Sequence, residues 1–237
     1  MVNIDTVYQR VLAIANIEQR GYITPLEFNL MANQAQLDVF EQYFYDKNQN
    51  ERLPGNDTDY SDVGDILNEK ISIFETFGNV TGSGTTLPND LYRLNTINVD
   101  MLSDGNVREA EYVDHKDWMY LRHNPLTAAT TDRPIYTRDS GGVIVMGTFQ
   151  GVNNTQIFGG ITCNYVRQPN KVEWGYDVIN EMALYQPVTS TNFEHHSSDE
   201  TELVMKILEL AGVIMNKPGL AQIAGTEDLQ KIQQEKQ

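Results

Sequence analysis

Apolar residues recur at helical spacing near both ends of the chain and alternate with polar ones in between. The first helix is predicted to begin after Asn3 or Asp5 and to run to about Gln19, with Gly21 placed to end it. A stronger start follows in Thr24-Pro25-Leu26-Glu27. Threonine caps, proline suits the first helical position, and Glu27 sits where a capping box needs it. Nothing breaks this second helix before about Asp46. At 100° per residue, Phe28, Met31, Ala32, Ala35 and Val39 share one side, while Leu26, Leu30, Leu37, Phe40 and Phe44 fall on roughly the opposite one. One apolar stripe suffices for a surface helix. Two predict a helix sandwiched inside its own bundle or against a neighbouring subunit.

A third helix is predicted over Tyr60 to Phe74, with Ile66, Leu67, Lys70, Ile71 and Phe74 along one face. Strands follow. Ile97, Val99 and Met101 alternate with Asn98 and Asp100, and Ile161, Cys163 and Tyr165 alternate with Thr162 and Asn164. The runs Pro134 to Thr137 and Val143 to Met146 flank Arg138-Asp139-Ser140-Gly141-Gly142, a hairpin signal. A short helix near Asp114 to Arg122 offers Trp118, Met119 and Leu121 as a plug for one end of the β structure. Ser197-Ser198-Asp199-Glu200 then opens a helix that is apolar nearly all round, which predicts a central position. The predicted fold class is α+β. Residues 1–76 supply the N-terminal helices of a bundle, 77–196 an inserted antiparallel β-rich domain (barrel or sandwich), and 197–237 the C-terminal helices that complete the bundle.

Charge narrows the function classes. The 237 residues carry 33 acids against 17 bases, a formal net charge of −16. Nucleic-acid affinity comes mainly from cations that neutralise phosphates, so sequence-specific DNA binding is not expected. A surface that DNA must pass without sticking is compatible with this balance. Residues 51–75 hold seven acids and two bases, and Asp57, Asp59, Asp62 and Asp65 within them are candidates for a channel-facing acidic stretch. No apolar run approaches 18 residues, so no membrane partner is expected. The start Met1-Val2-Asn3-Ile4-Asp5 lacks the character of a secretory signal, and Cys163 is the only cysteine. Both predict synthesis and folding in a reducing host cytoplasm.

Tests for reactive motifs fail one by one. A calcium loop starting at Asp57 needs glycine at position 62 and glutamate at 68, where the chain has Asp62 and Asn68. Asp139-Ser140-Gly141-Gly142 resembles a serine-protease nucleophile loop, but Arg138 precedes it, and neither His115 nor His123 has a supporting pattern. His195-His196 lacks a third ligand at useful spacing and reads as the lead-in to the last helix. Gly82-Ser83-Gly84 has neither the lysine nor the glycine spacing of a phosphate loop. No catalytic residue, metal site or cofactor is predicted.

Several stretches carry a family likeness. They are Asp5-Thr6-Val7-Tyr8, Glu18-Gln19-Arg20-Gly21-Tyr22-Ile23-Thr24-Pro25, Asn33-Gln34-Ala35-Gln36, Phe40-Glu41-Gln42-Tyr43-Phe44-Tyr45-Asp46, Leu87-Pro88-Asn89-Asp90-Leu91-Tyr92-Arg93-Leu94 and Tyr165-Val166-Arg167-Gln168-Pro169. The helix from Glu200 to Gly212 belongs with them. The chain resembles virion structural proteins of short-tailed phages, including the crAss-like group and marine relatives. The order of its elements is similar to the tail tubular A-type adaptor of T7-like phages.

That resemblance implies a homo-oligomeric ring, twelve-fold in the adaptor family, at the head–tail junction of the virion. The portal protein and other tail or ring proteins would be its partners, and packaged DNA would pass through without specific binding. In that family the carboxy-terminal portion engages the portal, which makes Leu220, Ile223, Leu229 and Ile232 candidate portal contacts. The expected function is a non-enzymatic connector between portal and tail. The alternatives are another tail or baseplate ring, a fibre-attachment module, or a hydrolase of cell wall or glycan, which needs converging carboxylates in a cleft.

Overall fold

A computed structural model describes residues 1–16, 23–52, 63–81, 86–101, 106–124, 126–130, 132–140, 142–146, 158–180 and 182–214. Over these the protein is mixed α and β, with five α-helices and sheets whose strands are mainly antiparallel. The chain divides into two compact units, Met1–Ile73 with Pro169–Gln237, and Phe74–Gln168. The boundary differs from a β-rich block over 77–196, because residues 169–196 group with the helices.

The first unit starts with α1 (Ile4–Asn16); the predicted stop at Gly21 lies outside the described residues. Helix α2 (Pro25–Arg52) opens on the expected capping box. Thr24 N–H donates to Glu27 Oε2 at 2.9 Å, and Glu27 N–H donates to Thr24 Oγ1 at 3.3 Å. The helix outruns its predicted end at Asp46 because no glycine or proline occurs before Pro54. Helix α3 (Val63–Ser72) is shorter than predicted among the described residues.

A 3-10 turn at Ser197–Asp199 leads into α5 (Glu200–Ile214). Along Glu200–Gly212 only Thr201 is exposed, so this helix is central, as its apolar circumference predicts. Leu203, Val204, Ile207, Leu208 and Ala211 are buried where α1 and α2 pack on it.

The first predicted stripe of α2, Phe28, Met31, Ala32, Ala35 and Val39, is buried. The second stripe splits. Leu26, Leu30 and Leu37 are exposed to 64%, 68% and 40%, whereas Phe40 is fully buried. Phe40 sits at the edge of the core-facing side, so Phe40 belongs to the core and not to an outward stripe. On α3, Leu67 and Ile71 are buried and Ile66 is half exposed.

An extended segment runs along α2. Asn29 and Asn33 each present one side-chain amide, Asn29 to Trp174 and Asn33 to Val172. Gln36 Nε2 donates to the Asn170 carbonyl at 2.7 Å, continuing the row. Beyond it, β8 (Tyr176–Ile179) and β9 (Met182–Tyr185) form an antiparallel hairpin. Asn180 takes φ 52° in its turn, a left-handed conformation that asparagine tolerates well. The far end of this segment returns to the chain start, where Val2 and Phe193 exchange main-chain bonds of 3.2 Å. These ties explain why 169–196 belong to the helical unit.

The second unit holds a four-stranded sheet in the order β1 (Glu75–Asn79), β7 (Phe158–Arg167), β2 (Leu91–Met101), β3 (Val107–Glu109). A separate three-stranded sheet runs β4 (Glu111–Tyr112), β5 (Ile135–Asp139), β6 (Gly142–Met146). No barrel closes among the described residues, and β4 pairs with β5 in parallel, so the domain is not the purely antiparallel barrel offered by the sequence. The alternating residues Ile97, Val99, Ile161, Cys163 and Tyr165 form its core with Tyr136 and Val143. The predicted β5–β6 hairpin forms with Asp139 opposite Gly142, whose φ of 152° requires glycine.

Helix α4 (His115–His123) is capped by Asp114, whose carboxylate accepts from His115 N–H at 2.7 Å. Trp118 and Leu121 pack near Ile135, but Met119 is 56% exposed because one residue of helix turns it away. Met119 is therefore no part of the plug.

Candidate functional site

Helices α2 and α3 and the turn before α5 converge on one buried carboxylate, Asp199. Lys70 Nζ lies 2.7 Å from its Oδ1, and the Tyr43 hydroxyl donates to Oδ2 at 2.6 Å. Ser198 Oγ donates to Oδ1 at 3.2 Å. The Lys70 ammonium also stands 5.5 Å from the centre of the Tyr43 ring, and the His195 ring lies 5.8 Å from it. His196 accepts from Ser198 N–H, which turns the chain into the 3-10 start.

The electrostatics follow from burial and these bonds. Burial alone raises the Asp199 carboxyl, but the hydrogen bonds from Lys70 and Tyr43, with the Lys70 charge, outweigh it and hold the group below its ordinary value. Tyr43 is pushed up by burial and by donating to Asp199, so its phenol stays protonated. His195 is fully buried, and desolvation takes it down to about 4 against the opposing pull of Asp199 and Glu194. At neutral pH the cluster thus holds an ionised Asp199, a protonated Tyr43 and a neutral imidazole.

Chemically this arrangement is a clamp. Both Asp199 oxygens are engaged and its side chain is only 1% exposed, so the carboxylate is turned to the protein's own groups. Its effect is to fix α2, α3 and the α5 start relative to one another. Ser197-Ser198-Asp199-Glu200 looks in sequence like an ordinary acid-primed helix start. The signal that something more is present is Lys70, an ammonium on an otherwise apolar helix face, which needs a buried partner.

Of the predicted channel-facing acids, Asp65 is exposed on the first turn of α3, while Asp57, Asp59 and Asp62 lie outside the described residues. The candidate portal contacts Leu220, Ile223, Leu229 and Ile232 also lie outside them. Among the described residues, no group of three or more His, Cys, Asp or Glu side chains is placed to hold a metal ion, and no helix is long and apolar enough to cross a membrane.

A second candidate surface is apolar. Besides the leucines of α2, the hairpin β8–β9 exposes Val178, Ile179, Met182 and Leu184 to 66%, 53%, 65% and 48%. Its root is fixed, because the Trp174 ring stacks on Tyr176 and Tyr185 and its indole N–H donates to Asp5 at 3.0 Å. Alternation along the strands then turns Ile179, Met182 and Leu184 to the open face. A free two-stranded hairpin is only marginally stable in water, and this one is held at its root by the Trp174 contacts. Comparison of the chain with protein-family models gives no match, and comparison with curated protein sequences gives none.

Proposed function

We propose that the chain is a structural subunit of a bacteriophage particle, forming a ring in the neck that connects the portal to the tail and lets DNA pass. The observation that carries this reading is the outward stripe of Leu26, Leu30 and Leu37 on a helix whose other side is buried. A cyclic ring uses a heterologous contact, so each subunit needs two different adhesive faces, and the β8–β9 hairpin supplies a second. The sequence resemblance to short-tailed phage virion proteins points the same way.

In this reading the helices from both ends of the chain form a bundle that carries the β-rich unit as an insertion. The −16 charge and exposed acids such as Asp65 suit a wall that repels DNA, and Leu220, Ile223, Leu229 and Ile232 meet the portal. The test is to label the protein in purified particles and image them by negative stain. Label at the junction of head and tail is the expected result. Label at the baseplate or fibres, or none on the particle, overturns the assignment.

A further inference from the structure

We propose that residues 170–194 form a flap on α2 that acid unlatches, swinging off the helix as one piece while the helices stay packed. The inference is independent of the ring reading and concerns the helical unit alone.

The two ends of the stretch meet at one carboxylate. Glu194 Oε2 accepts from Asn170 N–H at 3.1 Å, and its Oε1 accepts from Asn170 Nδ2 at 2.8 Å. Gln36 Nε2 takes the Asn170 carbonyl, so both main-chain groups of Asn170 are held at this latch. Above it the stretch is its own scaffold. Glu173 and Thr191 exchange main-chain bonds of 3.2 and 2.8 Å, Gln186 N–H donates to the Gly175 carbonyl at 2.9 Å, and β8 pairs with β9. The Trp174 ring stacks on Tyr176 and Tyr185 of the same stretch. The polar hold on α2, by contrast, comes from the side-chain amides of Asn29, Asn33 and Gln36. Opening also parts Trp174 from Tyr8 and Asp5, and Phe193 from Val2, which keeps the flap closed at neutral pH. A piece with its own ladder and ring stack, fastened at its foot, opens as a unit at lower cost than the helices beneath it.

The trigger is His195, next in the chain to the latch and fully buried. Glu194 faces it from its own segment, Asp199 from the 3-10 turn and Lys70 from α3. From α2 come the Gln36 main-chain carbonyl and the Tyr43 ring. Asp199, Glu194 and the carbonyl favour the imidazolium and Lys70 opposes it, but the loss of water outweighs them all. Parting Asn170 from Glu194 and Gln36 opens the foot of the flap beside the ring and returns it to water. With the ring titrating at about 4 when closed and near its ordinary 6.5 when hydrated, opening becomes roughly 20-fold more favourable between pH 7 and pH 5.

The experiment is main-chain amide exchange by NMR on the full chain at pH 7 and pH 5, corrected for the intrinsic effect of pH. The N–H groups of Asn170, Val172 and Trp174 donate to Glu194, Asn33 and Asn29, and should lose protection roughly 20-fold at the lower pH. Thr191 and Gln186, bonded inside the flap, should keep theirs, as should Leu203 and Ile207 in α5. In His195→Gln, neutral at both values, the step should vanish. Glu194→Gln replaces one accepting oxygen with an amide that cannot accept, so the same three groups should lose roughly 10-fold already at pH 7. An unchanged far-ultraviolet circular dichroism spectrum shows that each variant folds.

Equal protection at pH 7 and pH 5 in the native chain overturns the proposal. So does a parallel loss in α5, which means that the helical unit opens whole, and so does a step that persists in His195→Gln. Loss at Thr191 and Gln186 together with the others means that the stretch melts instead of swinging, and overturns the one-piece motion. Native protection in Glu194→Gln at pH 7 removes the latch and the proposal with it.

Discussion

The side-chain amide of Asn33 and the main chain of Val172 exchange two hydrogen bonds, 2.9 Å from Nδ2 to the carbonyl and 3.1 Å from the N–H to Oδ1. Asn29 makes the same exchange with Trp174, at 3.3 and 2.8 Å. Four residues of helix advance about 6 Å and two residues of strand about 6.6 Å, so asparagines spaced i and i+4 match alternate residues of an extended segment. Helix α2 thereby serves as a substitute edge strand. The hairpin β8–β9 leaves directly from this anchored segment, so its placement depends on these two amides.

Removing one amide leaves a main-chain N–H and C=O without partners. Asn33→Ala is expected to destabilise the protein by about 2–3 kcal/mol, read as a lowered urea midpoint. Asn29→Ala with Asn33→Ala should depart from additivity, since both hold the same segment. A loss below about 0.5 kcal/mol for Asn33→Ala would show that water replaces the side chain there.

Lys70 and Asp199 form a pair with side-chain exposures of 18% and 1%. Lys70→Met strands a buried carboxylate, so about 3–5 kcal/mol should be lost. Adding Asp199→Asn to Lys70→Met should restore part of that loss, because the orphaned charge is gone. A double-mutant cycle by urea denaturation measures the coupling.

The depressed histidine predicts a pH dependence. His195 titrates at about 4 in the folded chain, against an ordinary 6.5. Between those values the unfolded chain binds a proton that the folded chain refuses. The contribution of the neutral ring is therefore complete above pH 6.5 and is lost as pH falls toward 4, on the order of 3 kcal/mol in all. Asp199, also depressed, adds a further loss below the ordinary carboxylate range. Relief of the overall acidic repulsion acts with the opposite sign. The measurement is thus the difference between wild type and His195→Gln in urea midpoint at pH 7, 5 and 4, which should shrink as pH falls.

Two residues of α2 separate core from surface. Phe40→Ala should cost about 3–5 kcal/mol, while Leu30→Ala should stay within about 0.5 kcal/mol in dilute monomer. Equal losses at both positions would mean that Leu30 is covered within one chain. Thr24→Ala, which dismantles the capping box, should cost about 1 kcal/mol by the same measurement.

What the sequence by itself determined is local. Thr24, Pro25 and Glu27 specify the α2 start because cap, first turn and returning carboxylate lie within four residues. The alternation at Ile97, Val99, Ile161 and Cys163 specifies inward faces because strand side chains repeat every two residues. The near-complete apolar circumference of α5 specified a central helix for the same kind of reason. Only the tertiary structure decided which of the leftover faces met a neighbour. Phe40 went to the core and Leu30 to the outside although both stood off the main stripe, because the packing of neighbouring elements sets how wide the covered face is. It also decided that residues 169–196 join the helices, and that Lys70 meets Asp199. Those outcomes depend on groups more than a hundred residues apart satisfying each other's hydrogen bonds and charges, and no periodicity along the chain encodes such a meeting.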